Sequence, residues 1–177
     1  MGKTEKVVID TNVIISSLLK KEGITRLALS LIKQKRGLEI LIPKELYEEI
    51  EKHRFEIARR AKISTKILSF FIATILKDIK KIDVKNSYIK KALKYVKDEK
   101  DAPFVAACLK TGANFILTFN RKDFEVNKLE KIGIKVMLPV EFLEYMGIDI
   151  GEIRTEFKKK GGVMRLLSRV SLLFKRK

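Results

Sequence analysis

Asp10 is the residue whose position in this sequence most strongly suggests chemistry. It closes the apolar run 7–9 and is followed by Thr11, Asn12 and a second apolar run, 13–15. A short apolar run of this kind is typical of a buried strand, where a carboxylate is costly unless a partner such as a metal ion compensates its charge. An aspartate before a helix also acts as an N-cap, and the two roles can coexist at one residue.

A second acidic candidate lies in the helix predicted to begin near residue 43. At about 100° per residue, Leu46, Ile50 and Ile57 form the buried stripe of that helix. Glu49 borders the stripe, whereas Glu48 lies nearly opposite to it. We therefore expect Glu49 to face a cleft, while the other glutamates of the helix fit solvated charges near a positive helix end.

Two further acids lie next to apolar segments. Asp101 precedes an apolar helix that starts at Pro103, and helix capping is its alternative role. Asp123 lies in the polar loop after the predicted strand 114–118, and an ordinary turn aspartate is the alternative there. Thr118 ends that strand, and Asn120 lies in the same loop as Asp123. Each acid comes from a different part of the chain, so only the fold can bring them together.

The elements that must position these acids alternate between strand and helix. Apolar runs with turn signals between them predict strands at 6–10, 38–42, 114–118 and 134–138. Helices are predicted at 13–19, 25–35, after Pro43, continuously through 54–82 with Ser64 as a cap, at 87–96, at 101–112 and after Pro139. This order predicts an α/β fold with a mostly parallel sheet covered on both faces, and such sheets bind ligands beyond the carboxyl ends of their strands.

Charge and composition narrow the class of partner. The 177 residues carry a formal net charge of +17, and 46% of them are hydrophobic, which argues for a folded domain and against disorder. A field of this size favours a polyanion, meaning nucleic acid or an anionic membrane face. The single cysteine, Cys108, excludes an intrachain disulfide, and the sequence shows neither a signal peptide nor a spanning helix, so we expect a cytoplasmic protein.

The ordered set of motifs resembles the PIN domain family. The resemblance covers roughly residues 5–146 and includes the terminal helix that follows Leu138-Pro139. Its motifs are 8–13 (Val-Ile-Asp-Thr-Asn-Val), Pro43 with Glu49-Ile50, Asp101-Ala102-Pro103, 111–113 (Thr-Gly-Ala), 118–120 (Thr-Phe-Asn) with Asp123-Phe124, and Glu141-Phe142-Leu143. It implies a three-layer α/β/α sandwich with a central, mostly parallel sheet, in a nuclease domain spanning 1–147.

The resemblance also implies roles for the acids. Asp10, Glu49 and Asp101 match the metal-binding and catalytic acids that hold Mg²⁺ or Mn²⁺ and cleave RNA, and Asp123 matches a fourth. Asn120 stands where other members carry an aspartate, which leaves a second metal site in doubt. The implied biology is that of VapC-like toxins with a protein antitoxin, or of RNA-processing nucleases, and a homodimer is expected from the family.

Physical chemistry supports this interpretation without the family. Carboxylates gathered in one cleft raise each other's pKa unless a divalent cation neutralises them, and oxygen ligands favour Mg²⁺ or Mn²⁺. Zinc is disfavoured because His53 is the single histidine and Cys108 lies in an apolar helix. Asn12, Thr118 and Asn120 are predicted to support the site, and Arg121 and Lys122 to contact the RNA backbone.

The basic segment 148–177 lies outside the resemblance. Nine Lys or Arg and only two Glu occur from Gly151 to Lys177, and apolar residues recur at helical spacing after Gly161-Gly162. A helix docked on its own domain or in a dimer, an RNA-binding helix and a helix on an anionic membrane surface all fit this pattern.

Two other functions fit parts of the sequence. Asn120 is compatible with a catalytically weak PIN-like module that binds RNA within a ribonucleoprotein. A haloacid-dehalogenase-like phosphatase also begins with an aspartate after a strand. That family expects a second acid at position 12, where this chain has Asn12.

Overall fold

A five-stranded parallel sheet forms the centre of the part of the chain that the structure describes. In this computed structural model the described residues are 4–19, 24–151 and 155. The strands are β1 (Glu5–Ile9), β2 (Leu38–Pro43), β3 (Ile79–Ile82), β4 (Phe115–Leu117) and β5 (Lys135–Met137). They lie side by side in the order β3-β2-β1-β4-β5. All their carboxyl ends therefore meet at one edge of the sheet, as the alternation of strands and helices predicts.

Helices cover both faces of this sheet. They are α1 (Thr11–Leu19), α2 (Ile24–Gln34), α3 (Lys44–Lys52), α4 (Arg54–Ala61), α5 (Thr65–Leu76), α6 (Asn86–Ala92), α7 (Ala102–Thr111), α8 (Val126–Glu130) and α9 (Pro139–Tyr145). Short 3₁₀ turns occupy Leu93–Tyr95, Glu99–Asp101 and Arg121–Asp123. The result is the predicted three-layer α/β/α sandwich. Among the described helices, none is both long and apolar enough to cross a membrane.

Side-chain alternation along the central strands creates two apolar clusters. Val7 and Ile9 of β1 face one cluster with α1, α2, α4, α5 and α9, whereas Val8 faces the other with α6, α7 and α8. Ile9 and Val8 are fully buried, as expected for strands covered on both faces. Leu46 of α3 contacts both clusters, so α3 bridges the layers.

The helix predicted through residue 82 is wrong at its end. Helix α4 ends at Ala61, Ser64 caps α5 by accepting a hydrogen bond from the Ile67 N–H, and α5 ends at Leu76. Ile79–Ile82 is instead an edge strand paired with β2. The apolar spacing of α5 continues into Ile79, so helical periodicity alone could not reveal the change, and pairing with β2 determined it.

Smaller corrections concern the helix ends. Pro43 closes β2 and is the N-cap of α3, so it precedes the first turn that the sequence predicted for it. The helix predicted at 87–96 ends at Ala92 and continues as a 3₁₀ turn. Gly112 ends α7 with a φ of 71°, in the left-handed region where glycine is favoured.

The predicted C-terminal extension lies mostly outside the described residues. Ile148 and Ile150 are buried and join the core cluster that contains α9. Of the remainder, only Asp149, Gly151 and Thr155 are described, so the proposed amphipathic helix of that segment stays a prediction.

Candidate active site

Asp10 and Thr118 are neighbours because of the register of the two central strands. Ile9 pairs with Leu117 across β1 and β4. The ladder continues one residue further, since the Asp10 N–H donates to the Leu117 carbonyl at 2.9 Å and the Thr118 N–H donates to the Met137 carbonyl at 3.1 Å. The first residue after each strand therefore lies at the same edge of the sheet.

Three donors converge on the Asp10 carboxylate. The Thr118 hydroxyl donates to Oδ2 at 2.6 Å, the Asn12 side-chain amide donates to Oδ2 at 2.7 Å, and the Asn12 backbone N–H donates to Oδ1 at 3.0 Å. The last of these bonds makes Asp10 the N-cap of α1, which was one of the two roles left open by the sequence. Capping occupies one lobe of Oδ1 and leaves further lone pairs on both oxygens.

Asn12 and Thr118 tie the loop after β4 to this carboxylate. The Asn12 amide also donates to the Thr118 hydroxyl oxygen at 3.3 Å, and Asn12 Oδ1 accepts from the Phe119 N–H at 3.3 Å. The Asn120 N–H donates to the Thr118 hydroxyl oxygen at 2.9 Å. These bonds fix the start of the 118–123 loop against β1, and they place Asn12 and Thr118 in contact with the Asp10 carboxylate.

Burial makes the charge on Asp10 costly. Its side chain is only 5% exposed, and desolvation raises its pKa above the ordinary value. The bonds from Thr118 and Asn12 oppose that shift, whereas the nearby charge of Asp123 adds to it. The raised pKa shows that the hydrogen bonds do not fully compensate the buried charge.

Asp101 shares this electrostatic environment from the start of α7. Its pKa is raised to about 7, chiefly by desolvation and then by the charges of Asp10, Asp123 and Asp98 in that order. Asp98 performs the local capping role by accepting from the Lys100 N–H, whereas Asp101 makes no side-chain cap bond. The carboxylate of Asp101 is thus left for the cleft, as its apolar flank predicted.

Glu49 approaches the same cleft from the opposite layer. It lies on α3 one residue before the fully buried Ile50 and lines the cleft together with Asp10 and Asp101. Both glutamates are exposed, but Glu48 does not line the cleft and pairs with Lys44 at 3.6 Å. The position of Glu49 beside the apolar stripe thus predicted correctly that Glu49, and not Glu48, faces a cleft.

The cleft itself has a volume of about 640 Å³ and is open to solvent. Its walls come from both helical layers, with α1, α3 and α4 on one side and the start of α7 on the other. The polar or charged residues that line it are Asp10, Thr11, Asn12, Glu49, His53, Glu56, Arg60, Lys100, Asp101 and Asn120. An opening of this size at the carboxyl edge of a parallel sheet is where α/β proteins bind ligands.

The fourth predicted acid contributes charge but does not line the cleft. Asp123 is half-buried in the 3₁₀ turn of the loop, and its charge acts on both Asp10 and Asp101. Asn120 is the residue of that loop that lines the cleft. The loop therefore contributes the neutral side-chain amide of Asn120 to the cleft, and not a fourth carboxylate.

The two predicted RNA contacts differ in their surroundings. The Arg121 guanidinium donates to both carboxylate oxygens of Glu141, at 3.0 and 3.3 Å. Lys122 is exposed and has no ion-pair partner within the described ranges. Arg121 is thus already engaged by α9, while Lys122 is available to an anion.

The basic residues of the cleft were only partly identified from the sequence. Lys100 lines the cleft beside Asp101, and His53 and Arg60 line it on the α4 side. Lys100 could have been found from its position next to Asp101. Which basic residues of α4 would line the cleft depended on how α4 packs: Arg60 lines it, whereas Arg59 forms a bidentate pair with Glu56 and does not.

The donor set of this cleft fits a hard divalent cation. Its acids offer oxygen ligands, and burial together with the charge of neighbouring carboxylates raises the pKa values of Asp10 and Asp101, a cost that a cation would relieve. The Thr11 hydroxyl oxygen also lies in the cleft wall, buried and with no hydrogen-bond partner. Over the described residues, no three acidic, histidine or cysteine side chains are already gathered closely enough to hold a metal.

Fold and cleft together define an α/β protein with a buried acid, Asp10, and a half-buried acid, Asp101, at the carboxyl edge of a parallel sheet. The chain belongs to the PIN domain family, whose family model matches residues 8–134. PIN domains generally have a nuclease-type fold, and PIN nucleases generally use divalent metals. No curated protein matches the chain significantly.

Proposed function

We propose that this protein is a Mg²⁺- or Mn²⁺-dependent endoribonuclease. The observation that carries the proposal is that Asp10 and Asp101, two desolvated acids from distant parts of the chain, line one open cleft, where the charge of Asp10 helps to raise the pKa of Asp101. Groups perturbed in this way by burial and a specific charge partner are characteristic of functional sites. The family membership supplies the reaction class.

Asp10, Asp101 and Glu49 would draw together to hold the cation, since no three such side chains are gathered for a metal among the described residues. Asp123 would add charge from its loop. When bound, the cation would supply Lewis-acid stabilisation of charge on the reacting phosphodiester and acidify a water molecule. Asn12 and Thr118 hold the Asp10 carboxylate in one orientation. They therefore act as positioning residues.

Basic side chains in the cleft wall offset the negative charge of the acids and so favour an anionic substrate. Arg60 and Lys100 line the opening from its two sides, and neither has an ion-pair partner among the described residues. Each phosphate they contact would add a salt-sensitive increment of affinity. The net charge of +17 favours the approach of a polyanion as a whole.

A cleavage assay tests the proposal directly. Wild-type protein is incubated with labelled single-stranded RNA in Mg²⁺ or Mn²⁺, beside Asp10→Asn and the matched control Glu48→Gln, whose parent side chain lies outside the cleft. We expect Asp10→Asn to lower the cleavage rate at least about 100-fold, since it removes a carboxylate from the reacting centre. Glu48→Gln should cleave like wild type. Equal cleavage by wild type and Asp10→Asn would overturn the assignment.

A binding module without strong catalysis is the second candidate. Two observations favour it: Asn120 lines the cleft in place of an acid, and no metal-ready trio of side chains occurs in the described segments. In the same assay, RNA binding by wild type and Asp10→Asn with cleavage by neither would support this candidate.

The biological role is a further part of the proposal. A toxin paired with a protein antitoxin and an RNA-processing nuclease would both use the same cleft. A small antitoxin-like reading frame beside the gene, and growth arrest on expression that Asp10→Asn relieves, would support the toxin role. The expected homodimer is tested by measuring the mass of the protein in solution.

A further inference from the structure

A second, cationic pocket lies beside the acidic cleft. It has a volume of about 350 Å³ and is lined by Lys97, Lys122 and Asn127, together with Arg121, Glu125 and apolar atoms of the 124–126 segment. None of the three residues first named lines the acidic cleft. Lys and Arg outnumber acids in the lining of this pocket, whereas acids outnumber Lys and Arg in the lining of the cleft.

Backbone hydrogen bonds connect the two walls of this cationic pocket. The Lys97 N–H donates to the Asp123 carbonyl at 2.7 Å, and the Glu125 N–H donates to the Tyr95 carbonyl at 2.9 Å. Val96 and Phe124 form an antiparallel bridge between these bonds. The short ladder holds the Lys97 segment against the loop that carries Lys122, so both lysines belong to one built pocket.

The anionic side chain of this pocket and its arginine are already paired. The Arg121 guanidinium contacts Glu141 at 3.0 Å, and the Glu125 carboxylate contacts Lys128 at 3.7 Å. Lys97 and Lys122 are exposed, and neither has an ion-pair partner among the residues that the structure describes. Two free ammonium groups and an amide thus remain for an external anion.

The cleft and the pocket are lined by residues that lie two positions apart in the sequence. Asn120 lines the acidic cleft and Lys122 lines the cationic pocket. Two residues of chain span at most about 7 Å, which is the scale of one nucleotide step along a single strand. An RNA backbone crossing the cleft could therefore place its next phosphates at the pocket.

We propose that Lys97 and Lys122, with the side-chain amide of Asn127, form a phosphate subsite that holds the RNA backbone beside the acidic cleft. This subsite rests on the proposed function, because its ligand is the nucleic acid on which the cleft acts. It contributes to substrate binding and not to the chemical step, since its groups lie outside the cleft. Its occupant is a phosphodiester one or a few nucleotides from the scissile bond.

The experiment compares two double variants of equal charge. Lys97→Ala with Lys122→Ala removes the subsite. Lys77→Ala with Arg36→Ala is the matched control, since both residues are exposed and shortly precede strands β3 and β2, at the opposite edge of the sheet. Binding of a fluorescent single-stranded RNA is measured by anisotropy in EDTA at several salt concentrations, and cleavage kinetics are measured in Mn²⁺.

We expect the Lys97/Lys122 variant to bind RNA about tenfold more weakly and to lose about 0.7 from the salt slope for each phosphate contact removed. Its KM should rise while kcat stays within about twofold. The Lys77/Arg36 variant should bind within about twofold of wild type. Equal weakening in both variants would show a general effect of net charge and overturn the subsite.

Other outcomes separate this proposal from the proposed function. If wild type cleaves RNA and the Lys97/Lys122 variant binds it normally, the subsite is overturned and the nuclease stands. A loss confined to kcat would also overturn it, because a remote phosphate contact acts on binding. If wild-type protein neither binds nor cleaves RNA, both proposals fall.

Discussion

The Thr118 hydroxyl donates a 2.6 Å hydrogen bond to the buried Asp10 carboxylate from a position 108 residues away in sequence. The two residues meet because each is the first residue beyond a central parallel strand, and the pairing of Ile9 with Leu117 sets the strands in register. A strand register thereby determines the orientation of the acid on which the site depends.

Replacing Thr118 by valine should destabilise the folded protein. A hydrogen bond to a charged, buried acceptor contributes about 2 kcal/mol. Valine keeps the shape of threonine but removes this donor and the oxygen that accepts from Asn12 and Asn120. Because this bond lowers the pKa of Asp10, its loss should raise that pKa further. Urea unfolding at pH 8 in EDTA measures the change in the free energy of unfolding.

Thr111→Val is the control for that measurement. The Thr111 hydroxyl donates to the uncharged Ala107 carbonyl within α7 at 2.7 Å, so its loss should cost less than about 1 kcal/mol. Equal costs for the two variants would mean that the charge on Asp10 does not depend on Thr118.

Divalent metal should stabilise the folded protein. A cation that binds only the native state contributes about 2.7 kcal/mol at 100 times its Kd, which corresponds to a rise in Tm of about 5 to 10 °C for a chain of this size. Thermal unfolding in Mn²⁺ and in EDTA measures the shift. Asp10→Asn and Asp101→Asn should each lose most of it, whereas Glu48→Gln should keep it.

Circular dichroism in EDTA shows whether the asparagine variants are folded before metal is added. A wild-type Tm that is unchanged by saturating Mn²⁺ or Mg²⁺ would contradict the assignment of the cleft as a cation site.

The metal-free protein should become less stable as pH rises toward neutrality. The pKa of Asp101 is about 7 in the folded state and 3.8 in the absence of its surroundings. The native state therefore binds more protons than the unfolded state between these values. The contribution of Asp101 to stability is greatest below pH 3.8, falls as pH rises, and is lost above about pH 7.

Asp101→Asn should flatten this dependence, since it removes both the titrating group and its repulsion of Asp10. The free energy of unfolding in EDTA, measured from pH 4 to 8, gives the difference between variant and wild type. Glu130→Gln, an exposed change before β5, is the control. A wild-type stability that rises more steeply with pH than that of Asp101→Asn would contradict the expected direction of the effect.

Restoring an acid at position 120 should tighten metal binding. Asn120 already lines the cleft with Asp10 and Asp101, so Asn120→Asp adds a carboxylate to the donor set. We expect about tenfold higher affinity for Mn²⁺, corresponding to about 1.4 kcal/mol, and lower stability in EDTA because like charges repel. Isothermal titration calorimetry measures the affinity.

Asn86→Asp is the matched control, because it adds the same charge at an exposed site on α6. If both variants change the affinity for Mn²⁺ equally, Asn120 does not face the cation, and its amide does not limit the affinity of the site for Mn²⁺.

Much of the fold could be predicted because local patterns determined it. Apolar runs identified the buried strands, Ser64 and Gly112 marked helix ends, and the stripe of α3 separated Glu49 from Glu48. Strand β3 could not be predicted in this way. Its apolar spacing continues that of α5, and only pairing with β2 determines its conformation.

The sequence by itself determined which residues could do chemistry, since an acid after a buried apolar run carries its own energetic argument. Only the tertiary structure decided which groups share the cleft. It brought Lys100 and Arg60 to the walls, paired Arg121 with Glu141, and left Asp123 acting through its charge alone. The physical reason is that local propensities act over a few residues. Cleft geometry depends on strand register and on how helices from two layers pack across one sheet edge.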